Sequence, residues 1–145
     1  MTGLILLTFC LAVEPVFTGA QAAAGKAAYL SSCVRCHTET LVGHDGTGEI
    51  SEFLRPYKGK IPPLAGSNAA YPAFLSKWGP QSTQDLAIRI LDASRGFPPP
   101  GRKVDEQLSL ELAAYILQIN GAQSGTQPLT SRTAVEIRKI TARTE

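Results

Sequence analysis

Methionine occurs once in this 145-residue chain, at the very first position, so no internal thioether exists to act as a metal ligand. Nothing alternates apolar with polar residues for long enough to read as a half-buried strand. No internal repeat is visible. Charge of either sign is scarce at the front: "LILLTFCLAV" (4–13) contains none. The formal net charge is only +2, rising by one if Glu14 leaves with a leader. That balance is too mild to argue for a nucleic-acid partner, and the aromatics are not interleaved among basic residues, so none is expected. Cysteine is also sparse, at three residues.

The apolar run 4–13 is too short to span a bilayer stably. Small residues follow it in "TGAQAAAG" (18–25), where Ala20-Gln21-Ala22 suits a leader peptidase. Residues 1–22 are therefore expected to be a secretion signal peptide, although a basic n-region is missing. A lipid anchor on Cys10 is opposed by the bulky Phe9 before it. With the leader removed, no stable membrane span is expected and the mature chain keeps two cysteines.

Those two lie in "SSCVRCHTET" (31–40). Cys33-Val34-Arg35-Cys36-His37 is the spelling of a covalent haem attachment site. The spacing places both sulfurs on one helical turn, and the adjacent His37 presents an imidazole to iron. A covalently held haem also supplies apolar core that so short a chain lacks. Three competing readings remain. Cys33, Cys36, His37 and His44 are a chemically permissible zinc set, but neighbouring Cys36 and His37 are awkward for a tetrahedral ion. A thioredoxin-like dithiol needs a βαβ surround that is absent. Buried, inert cysteines are the plainest alternative.

Around this motif the sequence reads as helices. "AAAGKAAYLSS" (22–32) is rich in helix formers. Residues 38–68, with "GHDGTGE" and "GKIPPLAG", read as a long irregular loop of the kind that wraps a ligand. "AYPAFLSKW" (70–78) is a short helix. "STQDLAIRILDASRG" (82–96) opens on a Ser82/Asp85 capping box and stops at Gly96. The last helix spans roughly 105–119, with Leu108, Leu112, Tyr115, Ile116 and Ile119 as one buried face. The expected organisation is leader 1–22, an all-α domain 23–121, and a tail 122–145. In that tail "AQSGTQPLTS" has linker composition and "TAVEIRKITARTE" is flexible or marginally helical.

From Gly25 to about Gly121 the chain resembles the class I mono-haem cytochrome c family. "GKAAYLSSCVRCH" looks like that family's opening motif, "IPPLAGS" (61–67) its proline-rich proximal loop, and "LELAAYILQING" (110–121) its C-terminal helix. The last is similar to helices in cytochrome subunits and domains of periplasmic quinoprotein dehydrogenases. The resemblance implies a small cytochrome c fold of three to five helices around one covalent haem c. It implies thioethers at Cys33 and Cys36 and His37 as proximal iron ligand. Pro62 or Pro63 would offer a carbonyl to His37 Nδ1–H. Gly25 and Tyr29 would cross the last helix near Leu112 and Tyr115.

One departure stands out. Where the family carries a Met-Pro that supplies the sixth ligand, this chain reads "SRGFPPPGRKVDEQLS" (94–109), with Phe97-Pro98 in its place. A phenyl ring has no lone pair for iron. The far side of the metal is thus expected to be open beneath an apolar Phe97 roof. The alternatives are ligation by His44, by Lys103 or a tyrosine hydroxyl, or by water or a partner protein's residue. The expected function is periplasmic single-electron transfer to or from a redox enzyme, a dehydrogenase or terminal reductase, with no bond-making catalysis of its own. The alternatives are a five-coordinate haem c protein that binds a small ligand such as CO or NO, or an accessory haem subunit of a dehydrogenase complex.

Overall fold

The computed structural model describes residues 14–97, 99 and 101–141. The chain is mainly helical: α1 (Gly19–Ser32), α2 (Val34–His37), α3 (Phe74–Trp78), α4 (Thr83–Gly96), α5 (Glu106–Ile119) and α6 (Ile137–Thr141), with one 3-10 turn at Glu52–Tyr57. The only sheet among the described residues is a two-residue antiparallel pair, β1 (His44–Asp45) against β2 (Lys60–Ile61), with His44 opposite Ile61. This small hairpin sits within the 38–68 stretch, which is otherwise irregular as expected.

The core is the crossing of α1 and α5. Gly25 makes it possible, because a Cβ there would overlap the Glu111 carbonyl. Beside that close approach, the Tyr29 and Tyr115 rings meet at 5.4 Å between centroids with a 54° tilt, a favourable aromatic geometry. α5 is buried nearly all round, from Leu108 through Leu117, with Glu111 at its half-buried edge. Ile119 is the exception: it is 47% exposed, so the apolar face expected from periodicity ends a turn early.

Local signals explain the helix starts. Ser82 and Asp85 form a reciprocal capping box at α4, and Asp105 accepts from the Leu108 amide at α5. α1 begins earlier than its composition suggested. Thr18 is its N-cap, and Thr18 and Gln21 form a second capping box. Ala20-Gln21-Ala22 therefore falls inside the first turns of a helix.

That helix start is part of the core. Phe17 and Ala22 are fully buried. Of the expected signal peptide 1–22, residues 1–13 lie outside the described residues, while within 14–22 Phe17 and Ala22 are buried and Glu14, Gly19 and Ala20 are exposed.

Residues 122–141 run as a strap over the fold and include the short helix α6, within the stretch where a marginal helix was expected. The Gly125 amide donates to Phe17 O (2.8 Å), and Leu129 is buried beside Gln21. Further on, the Thr83 amide donates to Val135 O, the Ile137 amide to Gln81 O and the Arg138 amide to Gly79 O, each at 2.9 Å. Ile137 is completely buried. Linker composition misled because much of this strap is held by backbone groups, which leave no trace in side-chain hydropathy. Among the described residues, no helix is long and apolar enough to cross a membrane.

Candidate functional site

The chemistry-bearing residues lie where α1 ends. The Cys33 amide closes α1 on Tyr29 O, and Cys33 O then accepts from the Cys36 and His37 amides at 3.1 and 3.0 Å. This tight turn makes Cys33 the N-cap of α2 and puts Cys36 and His37 at its last two positions. It ends at Thr38, whose φ of 65° reverses the chain. The strained turn is held from the core, because Tyr29 Oη donates to Thr38 O at 2.6 Å. Burial pushes the Tyr29 phenol well above its ordinary range, so it stays a donor.

Cys33 and Cys36 are free and partly buried. Burial raises the Cys33 thiol to about 11, with Cys36 adding to the shift and Arg102 opposing it. Cys36 is also raised, chiefly by burial, against the pull of Arg35. Neither sulfur is held as a thiolate, unlike the depressed thiols of disulfide oxidoreductases.

His37 is fixed by one bond. Its Nδ1 donates to Pro62 O at 3.0 Å; a carbonyl only accepts, so the tautomer carries its proton on Nδ1 and Nε2 keeps a lone pair. Burial lowers the His37 pKa to about 4, against the Pro62 bond that favours the cation. The ring is thus neutral and aimed. Pro63, the other candidate, is buried in the same loop.

The Pro62 loop is itself stapled. Asn68 Nδ2 donates to Val42 O (2.7 Å) and Ile61 O (3.1 Å), while its Oδ1 accepts from the Ala70 and Tyr71 amides. Asn120 Nδ2 donates to Leu64 O at 2.8 Å and ties the loop to α5. Gly43 has a φ of +67°, and a Cβ there would overlap the Ile61 and Pro62 carbonyls. None of these three residues was singled out from sequence, because their roles depend on backbone groups 7 to 56 positions away.

His44 sits in β1 opposite Ile61, one residue before Pro62. It is near enough to His37 to add to the lowering of that residue's pKa. Phe97 caps the end of α4, is 63% exposed, and meets Tyr57 edge-on at 5.2 Å. Lys103 and Arg102 line an open depression of about 730 Å³ with Leu91, Ser94, Arg95 and Val104. Arg102 Nη1 also reaches Ser31 Oγ at 3.5 Å, bringing the 101–104 segment beside Cys33. Arg35, between the two cysteines, stacks over the Phe53 ring at 4.8 Å.

Among the described residues, no three of His, Cys, Asp and Glu gather as a metal site, so the zinc set with His44 is not assembled. The geometry suits a different group. Two free thiols on one turn and an adjacent neutral imidazole with its Nε2 unused fit the two thioether bonds and the single axial bond of a covalent haem. No family model, curated protein or solved structure matches the chain.

Proposed function

We propose that this protein is a mono-haem c-type cytochrome that carries single electrons in the periplasm, to or from a redox enzyme such as a dehydrogenase or terminal reductase. The observation that carries it is the bond from His37 Nδ1 to Pro62 O beside the Cys33/Cys36 pair. Bound haem supplies the chemistry, a reversible one-electron change at iron. The chain's own residues do the rest. Cys33 and Cys36 anchor the porphyrin edge. Pro62 holds the His37 ring in the tautomer that leaves Nε2 for iron and makes it a stronger donor. Tyr29, through Thr38 O, keeps the motif's exit turn in place. The cytochrome c fold itself belongs to this proposal; it is supported by the α1–α5 crossing at Gly25 and the Tyr29–Tyr115 pair.

A second reading is favoured by the far side. Phe97-Pro98 stands in the sequence where the resembling family has its Met-Pro, and the Phe97 ring, which has no lone pair to offer iron, packs edge-on against Tyr57. A five-coordinate haem c protein binding a small ligand such as CO or NO accommodates both facts. The accessory-subunit alternative loses its main support, since the 122–141 strap is spent within the fold.

The test is spectroscopic. The full chain, produced with a haem c maturation system, is expected to keep haem through a denaturing gel and to lose it when Cys33 and Cys36 are both replaced by Ala. A colourless gel band would sink the cytochrome reading. The reduced protein with and without CO then separates carrier from ligand binder: bands unmoved by CO favour the carrier, and a shifted spectrum favours the open site. His44→Ala is expected to leave the spectrum unchanged.

A further inference from the structure

The start of α1 and the C-terminal strap form a clasp whose partners are specific at both ends. Gln21 Nε2 donates to Leu129 O at 2.8 Å, and the Leu129 amide donates back to Gln21 Oε1 at 2.8 Å. One side-chain amide thus satisfies both backbone groups of a residue 108 positions away. Beside it, Phe17 O accepts from the Gly125 amide, and Thr18 pairs with Gly125 in a parallel bridge. Gly125 is needed there, since a Cβ would press on the Pro15 ring. Phe17 is 0% exposed and Leu129 is 2% exposed. The same Gln21 carboxamide completes the capping box by which Thr18 starts α1.

Cleavage after Ala22 would remove Phe17 from the core, the N-cap from the helix and the Gln21 side chain that pairs with Leu129. Four amino-terminal donors of α1 would lose their cap, and the strap would lie over an open apolar hollow. Ala20-Gln21-Ala22 has the residue sizes a leader peptidase accepts, yet Gln21 has a structural partner that a discarded leader would not need.

We infer that residues 15–22 belong to the working protein, and that any proteolytic trimming of the amino terminus stops before Pro15. This inference goes beyond the proposed function and holds whether or not haem is bound.

The full chain, carrying a carboxy-terminal affinity tag and expressed in a Gram-negative host, is recovered folded and its intact mass measured. The expected first residue is Pro15 or one upstream of it; a folded product beginning anywhere after Pro15 overturns the inference. A second measurement uses thermal unfolding of full-chain variants. Phe17→Ala is expected to lower Tm by about 10 °C or more, as for other large core truncations, and Gln21→Ala by several degrees. Lys26→Ala, an exposed position on the same helix, serves as the control and is expected to leave Tm in place. A Tm unmoved by both Phe17→Ala and Gln21→Ala would show that the segment is not part of the core, and the inference would fall.

Discussion

His37 and Pro62 lie 25 positions apart and are joined by a single 3.0 Å bond from an imidazole N–H to a carbonyl. The loop that delivers this carbonyl depends on a glycine. At Gly43, φ is +67° and the space for a Cβ is taken by the Ile61 and Pro62 carbonyls. Gly43→Ala is therefore expected to cost about 1–3 kcal/mol of stability from backbone strain and to displace the Pro62 oxygen. Chemical denaturation measures the first effect. The second is read by NMR, where the His37 Hδ1 resonance should exchange faster with water.

Two glycines make opposite predictions. Gly25→Ala drives a methyl into the Glu111 backbone and should destabilise by about 1–3 kcal/mol through overpacking. Gly96, the last residue of α4, has nothing within reach of an added Cβ. Gly96→Ala should stabilise by about 0.4–1 kcal/mol, mainly by restricting the unfolded chain. Paired urea titrations with equal slopes would check both.

Asn68→Ala removes two donors and an acceptor at once. The carbonyls of Val42 and Ile61 lose their side-chain partner, and the expected loss is about 1–3 kcal/mol. Hydrogen exchange should report it as faster amide exchange at Ala70 and Tyr71. Unchanged rates there would mean that the Pro62 loop is held by other contacts.

The α4 capping box gives a pH signature. Hydrogen bonds from Ser82 hold the Asp85 pKa below its ordinary value of 3.8. A depressed carboxyl stabilises the fold fully above its unfolded pKa, and the contribution fades as pH falls through the lower folded value. The Tm difference between the protein and Asp85→Asn should accordingly be larger at pH 7 than near pH 2. A difference independent of pH would assign the cap's effect to geometry alone.

Much of this architecture was readable from residues. The Ser82/Asp85 box and Asp105 marked the starts of α4 and α5 because caps are local, within three positions of their partners. Cys33, Cys36 and His37 were legible as a group for the same reason. What escaped was non-local. Choosing Pro62 over Pro63 required knowing which carbonyl faces His37, and that is decided by the Asn68 and Gly43 contacts across the hairpin. Ile119 fits the helical period yet is exposed, as the last residue of α5, where the helix runs out of the core. The strap looked like a linker since its anchors, Leu129 and Ile137, are two apolar residues among many polar ones.

The clasp between Gln21 and Leu129 also sets an order of events. The contact joins residues 108 positions apart, and such long-range closures form late and slowly. Until then the turn carrying Cys33 and Cys36 belongs to an incompletely folded chain, with its thiols within reach of any enzyme that must modify them.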